Sequence, residues 1–247
     1  MAILVTRPAP DNERTASGLR ARGYDVLLSP MLRYEAIPFH GEDDAAYDGV
    51  VITSANAIRA VENHPSRLHL FELPAFAVGD QTAQAAREAG FKTVTSAHGD
   101  AAALTGLIVK SITKKLKKGA TLCYLAGADL ANDLAGDLGK RGFTIVTHTT
   151  YRMIPVQEFP SGLKEAFSAG TVDAVLHYSS RSARAFLDAV RAAGVEISAL
   201  ALPQCCISSA VAGVLREAGA TQVAAAKTPD EAALFDALDR AVKPSSN

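Results

Sequence analysis

The sequence contains no tryptophan, only three cysteines, and no apolar run near the length of a membrane span. Cys123 and the adjacent pair Cys205-Cys206 cannot form a disulfide framework and lack the spacing of metal ligands, so we expect small buried side chains in strands. A bilayer span needs about 20 apolar residues. The opening Met1-Ala2-Ile3-Leu4 has no basic segment followed by a long apolar one. These absences predict a cytoplasmic protein without a membrane partner.

The chain also lacks an excess of charge of either sign. Its formal net charge is −1, and its lysines and arginines are scattered except at Lys114-Lys115 and Lys117-Lys118. Nucleic-acid surfaces need a concentrated basic footprint, which this chain lacks. Single strands are commonly held by stacked aromatic rings, and this chain has no tryptophan. The sequence therefore predicts no nucleic-acid partner.

Several catalytic motifs are missing as well. After the first apolar run, a dinucleotide-binding protein has a glycine-rich turn, whereas this chain has Thr6-Arg7-Pro8-Ala9-Pro10. The chain also has no P-loop pattern. Its six histidines form no metal-binding pattern, and no serine has a nucleophile-elbow sequence. We interpret His177, which follows an apolar run, as structural.

What the chain does have is an internal repeat. The phrase at 34–38 (Tyr-Glu-Ala-Ile-Pro) matches the phrase at 151–155 (Tyr-Arg-Met-Ile-Pro), and residues 19–24 match 138–143. Further along, 87–90 and 216–219 are both Arg-Glu-Ala-Gly, and 100–104 resembles 230–234. The matches keep their order and drift slowly in spacing, which indicates duplication followed by divergence.

Each copy alternates short apolar runs with amphipathic helical stretches. In the first copy, Ile3-Leu4-Val5 precedes a helix from about 12 to 22, and in the second, residues 122–125 precede a helix from about 129 to 141. This alternation is typical of parallel sheets. With 247 residues, the chain is long enough for two domains. We therefore predict an α/β fold with two similar parallel-sheet domains.

Turns rich in hydroxyl side chains follow several of the apolar runs. They are Thr53-Ser54-Ala55-Asn56, Gly79-Asp80-Gln81-Thr82, Ser179-Ser180-Arg181-Ser182 and Ser208-Ser209. In a parallel sheet such turns share the carboxyl edge, where free N–H groups at helix starts attract anions. Each turn taken alone is also explained as an ordinary helix cap. Together they favour a ligand with several carboxylates or phosphates, held in a cleft between the domains.

These motifs in combination resemble one known family. The segments that carry the resemblance are 5–8 (Val-Thr-Arg-Pro), 51–57 (Val-Ile-Thr-Ser-Ala-Asn-Ala), 76–83 (Phe-Ala-Val-Gly-Asp-Gln-Thr-Ala), 178–183 (Tyr-Ser-Ser-Arg-Ser-Ala), and Tyr151 with Pro155. They resemble the uroporphyrinogen-III synthases along nearly the whole chain.

The resemblance implies both an activity and a fold. Members of the family close linear hydroxymethylbilane, which carries eight carboxylates, with loss of water and inversion of ring D through a spirocyclic intermediate, and use no cofactor. The implied partner is this substrate, which hydroxymethylbilane synthase would hand over transiently. The resemblance also implies that the chain is a monomer. The implied domains are 1–32 with 156–247, and 38–148. Segments 33–37 and 149–155 would pair as an antiparallel linker.

The resemblance also implies site residues. Tyr151 is the implied acid that hydrogen-bonds the departing hydroxyl, a role that suits a protonated phenol. Arg7 is a candidate counter-charge for the substrate. The other implied substrate-binding residues are Thr53, Ser54, Asn56, Gly79, Thr82, Gly99, Gly127, Ser179, Ser180, Ser182 and Ser208. One departure is Val211, where the family often has a threonine.

Two other functions are compatible with parts of the sequence. A non-catalytic two-lobed binding protein or sensor for small anions would share the cleft, although the chain shows neither an export signal nor a DNA-binding appendage. A cofactor-free enzyme for sugar phosphates or nucleotides would also bind anions, but no phosphate loop favours it.

Overall fold

The computed structural model describes residues 1–38, 46–65, 67–111, 116–130, 132–160 and 162–242. Lys114 and Lys115 of the basic cluster lie outside these ranges. The strands are β1 (Ala2–Val5), β2 (Asp25–Leu28), β3 (Leu32–Ala36), β4 (Gly49–Ile52), β5 (Pro74–Ala77), β6 (Thr93–Ser96), β7 (Thr121–Gly127), β8 (Thr144–Pro155), β9 (Ala174–His177), β10 (Gln204–Cys206) and β11 (Val223–Ala225). The helices are α1 (Asp11–Ala21), α2 (Ala55–Val61), α3 (Arg67–Glu72), α4 (Asp80–Ala89), α5 (Ala101–Lys110), α6 (Leu134–Gly139), α7 (Leu163–Ser168), α8 (Ser180–Ala192), α9 (Glu196–Leu200), α10 (Ser209–Glu217) and α11 (Glu231–Val242).

The chain forms two compact units. Met1–Arg33 and Ile154–Asn247 make up the terminal unit, and Tyr34–Met153 make up the central unit. Both divisions fall within the segments 33–37 and 149–155 where we placed the linkers. That these segments act as a hinge beside a cleft stays a prediction.

Each unit contains one sheet, and the two sheets have the same strand order. The terminal sheet runs β11-β10-β9-β1-β2, and all four neighbouring pairs are parallel. The central sheet runs β6-β5-β4-β7-β8, again with four parallel pairs, and β3 is added beside β8. Each unit therefore combines the first βαβ element of one repeat with the remaining strands of the other. The prediction of two similar parallel α/β domains, one of them discontinuous, is confirmed.

Helices cover both faces of the central sheet around β4, because all four residues of this strand are apolar and buried. Val50 and Ile52 of β4 pack with α2, α3 and α4, whereas Val51 faces the opposite way and packs with α5 and α6. All three side chains are fully buried. Period-two alternation sends successive side chains to opposite faces, so a strand covered on both sides reads as a continuous apolar run.

The repeated glycines end helices in a conformation that other residues avoid. Gly90 and its counterpart Gly219 follow α4 and α10 with φ of +111° and +95°. The other repeated pair, Gly23 and Gly142, has φ of +84° and +89°. Only glycine adopts positive φ without steric cost, which explains why the repeat keeps this residue at both places.

The three cysteines lie in strands and are buried, as predicted. Burial raises the pKa of the Cys123 thiol to about 12 and acts in the same direction on Cys205 and Cys206. A thiol that stays protonated is a poor nucleophile, which agrees with a packing role. Among the helices of the described ranges, none is long and apolar enough to cross a membrane.

Candidate functional site

Three helices of the central unit begin at the carboxyl edge of its sheet. Ser54 caps α2 by accepting a hydrogen bond from the Asn56 N–H at 3.2 Å. Gly79 is the N-cap of α4 and has no side chain to occupy the first turn. Asp100 caps α5 through the N–H of Ala103 at 2.9 Å. Of these three turns, the Gly79 turn leaves its main-chain N–H groups most open to a ligand.

Two of the predicted polar residues lie close to aromatic and sulfur groups. The Thr53 hydroxyl lies 3.3 Å from the hydroxyl of Tyr124, a residue of β7. Asn56 accepts a hydrogen bond from Arg59 at 2.6 Å, and its amide lies 3.6 Å from the Met153 sulfur. Tyr124 was not among the predicted site residues. Its position inside an apolar strand run gave no sign that its hydroxyl reaches the sheet edge.

Two predicted residues offer little to a ligand. Thr82 is almost fully buried within α4. The N–H of Gly99 donates to the carbonyl of Val78 at 3.1 Å, and a Cβ at Gly99 would come within 3.0 Å of the Ala103 Cβ. We attribute Gly99 to close packing between the loop and the first turn of α5.

A histidine–carboxylate contact that the sequence did not reveal borders the same edge. Nδ1 of His98 lies 2.7 Å from the carboxylate of Asp80, and both side chains are exposed. Hydrogen bonds from His98 and Ser96 lower the pKa of the Asp80 carboxyl. His98 also has a φ of +53°, a left-handed conformation that is uncommon for a residue with a Cβ.

Tyr151 lies on β8 where that strand passes the end of β7. The pairing changes register here, since Thr149 pairs with Ala126 but Tyr151 pairs with Gly127. Thr150 is therefore an extra residue, a β-bulge of the kind that redirects a side chain. The carbonyl of Tyr151 accepts a hydrogen bond from the N–H of Ala128 at 2.8 Å. The half-buried Tyr151 side chain packs at the border of the core formed with α2, α3 and α4.

The two copies of the repeated Tyr-x-x-Ile-Pro phrase contact each other. The rings of Tyr34 and Tyr151 are stacked, with centroids 5.9 Å apart and planes 23° from parallel. Glu35 and Arg152, the next residue of each phrase, form an ion pair. The N–H of Ile37 donates to the carbonyl of Thr150 at 2.8 Å. Equivalent residues of the duplication thus become partners on neighbouring strands.

The serine turns of the terminal unit are well-formed helix caps. Ser179 caps α8 by accepting from the Ser182 N–H at 3.0 Å, and the two hydroxyls lie 2.9 Å apart. Ser182 is buried, whereas Ser180 is partly exposed in the first turn. Ser208 caps α10 through the N–H of Val211 at 3.4 Å, and the Val211 side chain is buried.

Arg7 has its charge matched within the terminal unit. Its guanidinium lies 3.2 Å from Glu231 and 3.4 Å from Asp11, and it stacks 4.6 Å from the centroid of the Tyr178 ring. Glu231 also accepts hydrogen bonds from Thr15 at 2.5 Å and from Tyr178 at 2.9 Å. Glu231 departs from the repeat, since the equivalent position of the first copy is Ala101. This departure was the signal in the sequence that could have pointed to Glu231.

The predicted residues therefore fall into two sets. Those of the central unit are Thr53, Ser54, Asn56, Gly79, Thr82, Gly99, Gly127 and Tyr151, and those of the terminal unit are Arg7, Ser179, Ser180, Ser182 and Ser208. Within the described ranges, no group of three or more histidine, cysteine, aspartate or glutamate side chains is arranged to hold a metal ion.

A cavity of about 360 Å³ lies elsewhere in the terminal unit. Its walls come from residues 157–160, from α7 and from the last turn of α8. It includes none of the predicted site residues, and it borders the end of α8 opposite to Ser179. We do not assign it to the candidate site.

The fold and these turns define an α/β protein with two parallel sheets, whose helix-opening turns present main-chain amides and hydroxyls. The model of the family described as uroporphyrinogen-III synthase HemD matches residues 13–236. The chain belongs to this family, whose members cyclise hydroxymethylbilane in tetrapyrrole biosynthesis.

Solved structures agree on the fold. A crystal structure of uroporphyrinogen-III synthetase from Helicobacter pylori is 19% identical, with a TM-score of 0.65 over 95% of this chain and 96% of that one. A mutant uroporphyrinogen III synthase from Thermus thermophilus is 20% identical, with a TM-score of 0.57 over 98% of both chains. A search of curated protein sequences returns no match.

Proposed function

We propose that the chain converts linear hydroxymethylbilane to uroporphyrinogen III, with loss of water and inversion of ring D. The observation that carries this proposal is the match of the family to residues 13–236. The reaction closes a ring and releases water without a change of oxidation state, so its chemistry calls for no redox cofactor. By reaction type the enzyme is a carbon-oxygen lyase.

Tyr151 is our candidate for the acid. A pyrrole nitrogen of the substrate supplies electrons that expel the terminal hydroxyl, which takes a proton from the Tyr151 O–H and leaves as water. The substituted carbon of ring D then attacks the resulting azafulvene and gives the spirocyclic intermediate. The older bond between that carbon and its methylene bridge then breaks and leaves a second azafulvene on the neighbouring ring. The unsubstituted α-carbon of ring D attacks this azafulvene, which completes the macrocycle with ring D inverted. That carbon loses its proton as ring D regains its aromatic system, and the proton restores the phenol. Support comes from the location of Tyr151 beside the carboxyl end of β7.

The substrate carboxylates would be held mainly by main-chain N–H groups at helix starts. The Gly79 turn supports this, since within the described residues nothing lies within 4 Å of the place where a Cβ would stand. Of the proposed serines at the start of α8, Ser182 is buried and Ser179 caps the helix, whereas Ser180 is partly exposed in the first turn. For Arg7, its contacts with Glu231 and Asp11 favour a supporting role in its turn over direct neutralisation of the substrate.

Orientation accounts for more of the proposed catalysis than acid strength does. If the unsubstituted carbon of ring D attacks instead, a different isomer forms. The protein must therefore hold ring D in one geometry while the azafulvene exists. A monomeric state, a cytoplasmic location and a hand-off from hydroxymethylbilane synthase stay predictions from the sequence.

The test is Tyr151→Phe, assayed by single-turnover formation of uroporphyrinogen III from freshly generated hydroxymethylbilane. We expect a loss of about 10²-fold in rate, because only the proton donor is removed. Thermal unfolding serves as the control for an intact fold. A variant that folds normally and keeps the full rate would show that Tyr151 is not the acid.

A further inference from the structure

Tyr151 is flanked by residues from the strands on both sides of β8. The central sheet places β3 on one side of β8 and β7 on the other. Tyr34 of β3 stacks on the Tyr151 ring. Gly127 of β7 lies so close that a Cβ there would be 2.7 Å from Cζ and 2.8 Å from the hydroxyl oxygen of Tyr151. Together, Tyr34 and Gly127 limit the directions in which the Tyr151 ring and its hydroxyl can point.

The glycine at position 127 is required by this contact and not by its own backbone. The glycines with left-handed φ do not include Gly127, so an alanine would fit its conformation. It is the last residue of β7 and pairs with Tyr151 beyond the bulge. A contact of 2.7 Å is far inside van der Waals distance, so any side chain at 127 must displace the phenol. The absent Cβ is what lets the Tyr151 hydroxyl occupy its place.

Tyr34 contributes its ring, not its hydroxyl. The hydroxyl oxygen of Tyr34 is buried and has no hydrogen-bond partner among the residues that the structure describes. Burial raises the pKa of this phenol, which makes it a poorer proton donor. The ring, by contrast, is in offset contact with Tyr151, a geometry that aromatic pairs favour.

We propose that Tyr34 and Gly127 form a clamp that positions the Tyr151 hydroxyl for the cyclisation, and that Gly127 acts through Tyr151 and not as a contact of the substrate. The clamp rests on the proposed role of Tyr151. Neither residue need touch the substrate, so both are positioning residues. Their loss should reduce the fraction of molecules with a correctly aimed phenol, and thus kcat, while leaving substrate binding unchanged.

The experiment compares Tyr34→Leu, Tyr34→Phe and Gly127→Ala, each with Tyr151 present and again combined with Tyr151→Phe. We measure kcat and KM for uroporphyrinogen III formation and the thermal unfolding midpoint. Gly106→Ala, in the middle of α5, is the matched control for adding a methyl group. We expect Tyr34→Leu and Gly127→Ala to lower kcat about 10-fold with KM within about twofold, and Tyr34→Phe and Gly106→Ala to keep the kcat of the unmodified chain.

Combination with Tyr151→Phe decides between positioning and a separate role. If the clamp acts through the Tyr151 hydroxyl, neither Tyr34→Leu nor Gly127→Ala reduces kcat further once that hydroxyl is gone. The proposal is overturned if the losses persist in that background, if Gly127→Ala raises KM at constant kcat, or if Tyr34→Phe is as damaging as Tyr34→Leu. Full kcat in Tyr151→Phe overturns it as well, since no hydroxyl then needs a clamp.

A readout without substrate reports the position of the phenol independently of activity. With 3-fluorotyrosine at position 151, the ¹⁹F spectrum reports the environment of the phenol directly. We expect one sharp resonance in the otherwise unmodified chain and with Tyr34→Phe, and a broadened or split resonance with Tyr34→Leu. An unaltered resonance in folded Tyr34→Leu contradicts the clamp. Failure of the unmodified chain to make uroporphyrinogen III is a different result, and it contradicts the proposed function itself.

Discussion

His177 illustrates how a single buried residue can set the response of the protein to acid. The side-chain amide of Gln204 donates to the carbonyls of Ala199 and Leu202 at 2.8 and 3.0 Å, which turns its oxygen toward His177. Nε2 of His177 therefore carries the proton and donates to that oxygen at 2.9 Å. Nδ1 is buried with no hydrogen-bond partner in the described part of the chain. Burial lowers the pKa of His177 to about 4, against the weaker opposing effect of Gln204.

This burial predicts a loss of stability in acid. The unfolded chain binds a proton at His177 near pH 6.5, while the folded chain does not until about pH 4. The free energy of unfolding therefore falls as the pH drops from about 6.5 toward 4, by about 2.5 kcal/mol at pH 4.5 from this residue. Urea denaturation at pH 7 and pH 4.5 measures the effect.

The matched variants are His177→Gln, which keeps a donor near Gln204, and His69→Gln, which changes an exposed imidazole. We expect His177→Gln to remove about 2.5 kcal/mol of the pH dependence and His69→Gln to leave it unchanged. Equal pH dependence in the unmodified chain and in His177→Gln would mean that His177 is not the acid-sensitive group.

At the scale of single residues, the sequence predicted which residues belong to the site better than it predicted what they contact. Resemblance singled out Tyr151, but nothing in the sequence revealed that Gly127 and Tyr34 contact its ring, because those contacts depend on the bulge at Thr150 and on strand pairing far along the chain. Arg7 shows the same limit. The resemblance implied Arg7 as a counter-charge for the substrate, and only the fold brings Glu231 to it.

At the scale of the helix, glycine has opposite effects at two kinds of position. Gly106 lies inside α5, where among the described residues nothing approaches the place of a Cβ within 4 Å. Gly90 ends α4 with a φ of +111°, and a Cβ there would meet Phe71 only at an ordinary distance of 3.5 Å. The cost of a side chain at Gly90 is therefore conformational and not a matter of space.

The same substitution should thus change stability in opposite directions. We expect Gly106→Ala to raise the free energy of unfolding by about 0.5–1 kcal/mol, because alanine loses less backbone freedom in a helix. We expect Gly90→Ala to lower it by about 1–2 kcal/mol, because alanine is strained at positive φ. Urea denaturation of both variants provides the measurement, and changes of the same sign would refute this explanation of the helix ends.

Some helix boundaries were visible in the sequence, although the helix predicted from about 129 to 141 spans only Leu134–Gly139. Ser54, Ser179 and Ser208 mark helix starts, and the repeated Arg-Glu-Ala-Gly phrases mark helix ends, because capping is local chemistry. The short helices α3, α7 and α9 could not be predicted in this way. They are five or six residues long and owe their existence to packing within their units.

For the whole molecule, the repeat predicted the order of elements but not their distribution between the units. The strand orders β11-β10-β9-β1-β2 and β6-β5-β4-β7-β8 show that each sheet takes strands from both copies. A repeat read alone would have assigned one copy to each domain. The exchange rests on long-range strand pairing, such as Ile3 with Ala174, which has no local signature. The discontinuous domain was instead implied by the resemblance.

The central claim is that this chain makes uroporphyrinogen III from hydroxymethylbilane, and an isomer-resolved product analysis tests it most directly. Hydroxymethylbilane is generated enzymatically and incubated with or without the chain, and the oxidised products are separated by chromatography. Without a catalyst the bilane closes to isomer I. We predict that isomer III predominates when the chain is present, and that its share rises with the amount of chain added. Isomer I alone, at the rate of spontaneous closure, would contradict the account.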